Sequence, residues 1–515
     1  MIKNIINKFI IKEYKFKYMI FSILSGVLLA LSFQKFNFFF LAWIAFIPLI
    51  YCVYKNNLKY SALYGFVTGI VSSLIAFNWM FLFLFTNTKS IKAALIVAIL
   101  FWLYQTTYIV LWSSIVNITK SYKKIIAAIF AASLWVIFEY IKNYFLSGFP
   151  INLLGYSQSS FTQIIQISDV FGVYGISFVI IFVNFLIFYW LYNKNKKFLI
   201  VAVLLLSSLL GYGFIRINQI TKMSTKNEIK IGVVQPNIAQ EKKWRKSLKN
   251  EIINTIYTNA QFFKDKNCEI ILYPETVLPR ILEENEEIQT LVKDISKYSD
   301  LSLIGGKAVE NKKLYNSIFL ISRDGNIADK YKKKHLVLFG EYVPFENFLV
   351  KLLEKVNLTD NFSKEHDLKV FDFDKYNLGI NICSENYYPY LSRELVLKGA
   401  TLLTTHSNDA WCDGLSYPYQ HFVLNIFRAI ENRKYLIVAS NTGISGVIAP
   451  TGKITKQIKN QEQVCFEETV YTNNYITIYD KIGDLFVYIC MTYVLLVLLI
   501  YGIFGKNIKI TKINK

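Results

Sequence analysis

Hydrophobic positions along this chain follow two rhythms, and the change comes near residue 220. Before it, apolar residues run on for about 20 positions at a time, the length that crosses a bilayer core as a helix. Such stretches lie at about 17–35, 37–54, 60–85, 91–116, 125–146, 171–192 and 198–215, and an eighth lies at about 483–504. Each predicts a membrane-spanning helix. The first follows five lysines, but its core is long and six more stretches follow, so it reads as a retained anchor rather than a cleaved leader.

From about residue 227 the runs shorten and become rich in β-branched residues. IKIGVVQ (229–235), CEIILYPE (268–275), LSLIGG (301–306), LYNSIFLIS (314–322), YNLGINIC (376–383), ATLLTT (400–405) and YLIVAS (435–440) predict strands. Several are apolar on both faces, as in sheets covered by helices. The stretches 246–265 and 417–433 predict helices between them. The pattern amounts to an α/β domain of about 250 residues, large enough for its own core.

Composition agrees with a membrane protein: 53% of residues are hydrophobic and the mean hydropathy is +0.33. The net charge of +21 is unevenly spread. Residues 1–220 carry 18 Lys/Arg and three acids, and 506–515 carry four lysines, whereas 221–505 are nearly balanced at 35 basic and 33 acidic residues. The soluble part therefore lacks the basic excess of a nucleic-acid enzyme, and no nucleic-acid partner is expected. Lysines concentrate at the N-terminus, in the loops at 55–59, 120–124 and 194–197, and in the tail. The positive-inside rule then places both termini in the cytoplasm and residues 216–482 outside. The expected parts are a membrane domain of seven helices (1–220), an extracytoplasmic domain (227–478), a last membrane helix (483–504) and a basic cytoplasmic tail (505–515).

The outer loop 147–169 has no basic residue and mixes apolar with polar positions, which suits either a place at the membrane interface near a lipid substrate or a re-entrant connector. Glu139 and Lys142, three residues apart, are expected to pair and reach toward the surface. The six cysteines show no metal-ligand spacing. In an oxidising compartment one unassigned bridge would be open to the external ones.

Reactive side chains fall at strand ends. CEIILYPE ends in Glu275, YNLGINICSE ends in Cys383 followed by Ser384 and Glu385, and YKKKHLVLFGEYVPF between them carries Lys333, His335 and Glu341. A carboxylate, an ammonium and a thiol make a complete nucleophilic site. A cation favours the thiolate, a base takes its proton, and the ammonium with the backbone N–H of Ser384 can hold an oxyanion. Singly each residue is weak: a strand-end cysteine usually packs, and a lysine run is usually solvated.

Together, VVQPNIAQEKKW, YPET, the HLV-FGEYVPF stretch, NICSE, SNDAW and GFPINLLGYSQ resemble, in order, the motifs of the apolipoprotein N-acyltransferase family, a membrane branch of the nitrilase superfamily. The resemblance covers nearly the whole chain. It implies a polytopic α-helical membrane domain joined to a nitrilase-type αββα sandwich, in the bacterial inner membrane with the catalytic domain on the periplasmic side. It also implies Glu275 as general base, Lys333 as oxyanion lysine and Cys383 as nucleophile. Glu341 supports the lysine, Glu385 lies just past the nucleophile, and Trp244 is placed at the lipid-facing side. Two departures stand out: Ser384 where relatives often have Tyr, and Leu338 where a proline usually precedes FGE. The implied reaction is ping-pong acyl transfer from a phospholipid to a diacylglyceryl apolipoprotein, by a monomer without metal or cofactor. A membrane-anchored amidase with water as acceptor, and a transporter with an appended domain, are the other readings. His335 is expected to be structural, no histidine is expected in catalysis, and SNDAW (407–411) is expected either at the rim of the site or as a simple turn.

Overall fold

The computed structural model describes residues 2–145, 148–223, 226–243, 245–337, 340–342, 361–412 and 415–510. Among the described residues, each of the eight apolar stretches lies largely on helix. Five helices among the described residues are long and apolar enough to cross a membrane: Leu58–Ala76, Ile91–Ser121, Lys124–Ile141, Ser168–Asn193 and Lys196–Thr221. Two shorter apolar ones, Phe39–Lys55 and Leu485–Tyr501, match the stretches at 37–54 and 483–504, and the first stretch lies on Ile2–Leu31.

The stretch 60–85 differs from expectation because it is two helices, Leu58–Ala76 and Trp79–Thr88. Gln420, from the α/β domain, enters the break. Its Nε2 donates to the Ala76 carbonyl (2.9 Å), and its Oε1 accepts from Trp79 Nε1 (3.1 Å). A buried carbonyl released from a helix ladder needs such a partner.

The expected Glu139–Lys142 surface pair is not formed. Glu139 is 1% exposed and accepts from Leu154 N (2.5 Å) and Trp135 Nε1 (2.9 Å), while the Lys142 ammonium lies over the Tyr108 ring. Glu139 thus anchors the segment 148–169 by a buried contact, and Leu153–Gln158 of that segment are buried. The segment is packed against other elements: Gln158 Nε2 donates to the Phe39 carbonyl (2.9 Å), and Gln166 Nε2 donates to the Thr451 carbonyl (2.9 Å).

Among the described residues, the α/β domain has two six-stranded sheets. In chain order the strands are β1 (Glu228–Gln235), β2 (Cys268–Leu272), β3 (Ser299–Glu310), β4 (Lys313–Ser322), β5 (Ile327–Lys332), β6 (Val370–Asp372), β7 (Asn377–Ile382), β8 (Leu402–Ser407), β9 (Leu436–Ser440), β10 (Ser445–Ile448), β11 (Ile454–Ile458) and β12 (Val464–Tyr471). The first sheet runs β12-β1-β2-β3-β4-β5 and the second β11-β10-β9-β8-β7-β6. Strand parity decides what each face meets. Ile270, Leu272, Ile318 and Leu320 share a core with Leu378, Ile380 and Ile382 of the second sheet. The alternate residues Ile271, Tyr273, Phe319 and Ile321 pack with Ile252, Ile256, Leu291 and Ile295 of the covering helices Lys249–Gln261 and Glu286–Ser296. With Pro389–Leu397 and Tyr417–Asn432 following strands of the second sheet, the result is the expected αββα sandwich.

The sandwich is tied to the helical region by buried charge. Asp169 accepts from Arg433 Nη2 (2.8 Å) and Arg216 Nη2 (2.6 Å), and Glu431 accepts from Val173 N (3.0 Å). Breaking one partner of such a buried pair would strand the other, at a cost of about 3–5 kcal/mol. All six cysteines are free, so the bridge left open by the sequence is not formed.

Candidate active site

The carboxyl ends of β2 and β7 bring Glu275 and Cys383 to the same end of the sandwich, and β5 delivers Lys333 directly after its last residue. Crowding at β2 explains a glycine in the neighbouring strand: a Cβ on Gly305 would collide with the Pro274 carbonyl. Lys333 is 1% exposed, and its ammonium lies 3.0 Å from Glu341 Oε1 and 3.4 Å from Glu275 Oε1. Asn316 on β4 links the two carboxylates, donating from Nδ2 to Glu275 Oε1 (2.6 Å) and Glu341 Oε1 (2.8 Å). Its carbonyl accepts from Lys333 N (2.9 Å), which sets the lysine backbone beside it.

These charges assign chemical duties. Burial alone would lower the Lys333 pKa, but Glu341 and then Glu275 outweigh it and hold the ammonium above the ordinary lysine range. Lys333 is therefore a permanent cation, unsuited to act as a base. The Cys383 thiol is pushed well above its ordinary value by burial first and by Glu275 second, with Lys333 acting against them. The resting sulfur is a thiol, and it ionises readily only if a neighbouring carboxylate takes the proton.

Cys383 itself has φ +50°, a left-handed conformation uncommon for a residue with a side chain. The next turn is held by Glu385, which is fully buried. Its Oε1 accepts from Lys334 N (2.7 Å) and His335 N (3.1 Å), its Oε2 from Ile382 N (2.7 Å), and the Tyr331 hydroxyl donates to the same carboxylate. One carboxylate thus joins the lysine segment of the first sheet to the nucleophile turn of the second. Burial pushes its pKa up to about 7 despite those donors.

Of the residues expected at the site, Glu275 and Glu341 each contact Lys333, Cys383 lies within the reach of their charges, and Glu385 braces the frame. Ser384 is 2% exposed, and its hydroxyl has no hydrogen-bond partner among the described residues. Trp244 lies outside the described residues. The His335 backbone donates to Glu385, and its ring packs on Tyr388 at 3.8 Å.

The sequence reading missed three features. Asn316 is a polar residue beside Ser317 in a strand that is otherwise mostly apolar, and a polar pair there is the available signal. Lys243, inside VVQPNIAQEKKW, is buried and donates to Thr276 Oγ1 (2.8 Å); burial brings its pKa down to about 7. SNDAW brings an acid to the site, an Asp409 carboxylate oxygen lying within 4.8 Å of the Cys383 sulfur. Asp409 is buried behind Cys383 and paired with His421 at 2.9 Å.

Comparison with known proteins agrees with this architecture. Residues 25–186 match the apolipoprotein N-acyltransferase N-terminal domain, and residues 230–470 match the carbon-nitrogen hydrolase family. An apolipoprotein N-acyltransferase of Geobacter metallireducens is 31% identical over 492 residues, covering 91% of this chain and 92% of the relative. Apolipoprotein N-acyltransferase 1 of Treponema denticola is 28% identical, with 96% and 98% covered. Among solved structures, a carbon-nitrogen hydrolase from Helicobacter pylori matches at 17% identity and a TM-score of 0.37, over 47% of this chain and 89% of that one. By sequence match over nearly its full length, the chain belongs to the apolipoprotein N-acyltransferase family.

Proposed function

We propose that this protein transfers an acyl chain from the sn-1 position of a phospholipid, through a thioester on Cys383, to the α-amino group of a diacylglyceryl-cysteine at an apolipoprotein N-terminus. The observation that carries the reading is the Glu275–Lys333–Glu341 cluster, with Asn316 between its carboxylates, set beside a strand-end cysteine in a domain fused to apolar helices.

Glu275 takes the Cys383 proton, and the sulfur attacks the ester carbonyl. Lys333 and the Ser384 N–H stabilise the oxyanion. The ester C–O bond breaks, and Glu275 returns its proton to the departing lysophospholipid. The amine then attacks the thioester and gives its proton to Glu275. The C–S bond breaks, the amide forms, and the sulfur regains its proton. Glu341 keeps Lys333 in place throughout.

In this reading residues 1–220 are the membrane domain, 227–478 the catalytic domain on the periplasmic side of a bacterial inner membrane, 483–504 a final crossing and 505–515 a cytoplasmic tail. The enzyme works as a monomer on lipid substrates and binds no nucleic acid. A cysteine introduced near residue 290 should react with an impermeant reagent once the outer membrane is permeabilised; labelling only after inner-membrane lysis overturns this orientation.

The acceptor is tested directly. Purified enzyme given phospholipid alone should release about one equivalent of lysophospholipid and stall with a thioester on Cys383, because the acyl chain stays in apolar surroundings where water is scarce. A diacylglyceryl-cysteinyl peptide with a free amine should restart turnover, and its N-acetylated form should not. Continuous release of fatty acid without peptide would instead identify a hydrolase.

A further inference from the structure

The reaction just outlined leaves a buried acid–imidazole pair unused. His421, on the helix Tyr417–Asn432, is 2% exposed and lies against the nucleophile turn. Its Nδ1 is 2.9 Å from Asp409 Oδ1, and its Nε2 is 3.3 Å from the carbonyl oxygen of Cys383 and 3.1 Å from Asn386 Oδ1. The Cys383 sulfur, an Asp409 carboxylate oxygen and a His421 ring nitrogen all lie within 4.8 Å of one another.

Both ring nitrogens therefore face oxygens. A carboxylate and a backbone carbonyl accept hydrogen bonds and do not donate them. Asn386 does not reverse this, because its Nδ2 faces the His421 carbonyl at 3.5 Å. A neutral imidazole carries one N–H and would aim a lone pair at an oxygen on its other side. The imidazolium satisfies both sides. Burial opposes that charge, but Asp409 outweighs burial and raises the His421 pKa above the ordinary histidine range, with help from the Cys383 carbonyl and, at longer range, Glu275. Besides the Cys383 thiol, the other titratable groups against the ring among the described residues are Tyr387 and Tyr417, each with its centroid at 5.4 Å. With both nitrogens protonated, the ring has no lone pair for a metal ion, although the three side chains are close enough to suggest one.

Asp409 is itself fixed. It is 3% exposed, Ser440 Oγ lies 3.5 Å from its Oδ2, and a Cβ on Gly443 would collide with that oxygen. The residue whose carbonyl His421 holds is Cys383, which carries the left-handed φ of +50°. Such a conformation costs about 1–3 kcal/mol and persists only where its surroundings enforce it.

We propose that Asp409 and His421 form a positioning ion pair whose imidazolium grips the Cys383 carbonyl, fixes the turn that aims the thiol, and sets a second cation behind the sulfur. The two residues need not touch substrate. The role rests on Cys383 being the acyl-carrying nucleophile, so the decisive measurements avoid the lipid reaction.

In full-length protein in detergent, with 15N-labelled histidine and the His421 signal assigned by His421→Gln, the ring should show two protonated nitrogens at pH 7. Asp409→Asn, close in shape, should shift it to a neutral tautomer. Alkylation of Cys383 by iodoacetamide, read by mass spectrometry of its peptide, should slow about 10- to 100-fold in both variants. Single-turnover thioester formation should slow equally, with the phospholipid KM within about twofold. A neutral His421 in the unaltered protein at pH 7, or unchanged alkylation in both variants, overturns the proposal. A doubly protonated ring and slowed alkylation without any thioester from phospholipid would uphold the ion pair and count against acyl transfer alone.

Discussion

The two sheets contribute to the site in different ways. The first supplies charge: Glu275 after β2, Lys333 after β5, Asn316 within β4 and Glu341 beyond them, all within one hydrogen-bonded cluster. The second supplies shape: Cys383 on a left-handed residue after β7, with Asp409 and His421 behind it. Glu385 crosses from one to the other. A charge cluster tolerates small displacements because Coulomb energy varies slowly with distance. A nucleophile does not, since attack needs near contact and alignment. Changes on the first sheet should therefore slow proton transfer while leaving the thiol in place, and changes on the second should alter presentation of the thiol itself.

The largest effect should come from the nucleophile. Cys383→Ala should form no thioester, and Cys383→Ser should be almost inactive because a hydroxyl ionises far less readily than a thiol. Measurable acyl transfer by the alanine variant would remove the second sheet from the chemistry. Next, Glu275→Gln and Lys333→Met should each lose on the order of 10²-fold or more in thioester formation. In both, iodoacetamide should still label Cys383 fully, only more slowly. Incomplete labelling would mean that these residues also shape the second sheet, and the contrast would fail.

Asn316→Ala should cost about tenfold, since each carboxylate loses one donor but keeps Lys333. A loss as large as that of Lys333→Met would show that the spacing of the two acids matters more than their charge. Glu385 gives a pH test. Its pKa is raised in the fold to about 7, so its ionisation opposes folding, and stability should fall as pH rises from the ordinary carboxylate range to about 7. The thermal midpoint should decline over that window relative to Glu385→Gln, and parallel curves would refute the burial argument. The smallest effect is expected at Ser384. Its hydroxyl is buried without a described partner, so Ser384→Ala should keep activity within about twofold. A large loss would give the hydroxyl a function.

Some of this protein was determined locally and is legible in the chain. Apolar length alone marks the helices, because each must satisfy its own backbone in lipid. The strands leading to Glu275 and Cys383, and the strand holding Asn316, announce themselves by apolar runs, and Glu275 and Cys383 stand where their runs stop. β5, β6 and β10–β12 were not foreseen; β5 (IADKYK) and β11 (ITKQI) are largely polar and become strands by pairing with β4 and β10. The split of 60–85 was also hidden, since its cause is Gln420, more than 330 positions away. Tertiary structure alone decided that Glu139 is an interior anchor, that Glu385 spans the sheets and that Asp409 meets His421. Each depends on a long-range partner, on burial, or on both. A sequence shows which groups are present, but the protonation and strain of a buried group depend on neighbours that only the folded chain brings to it.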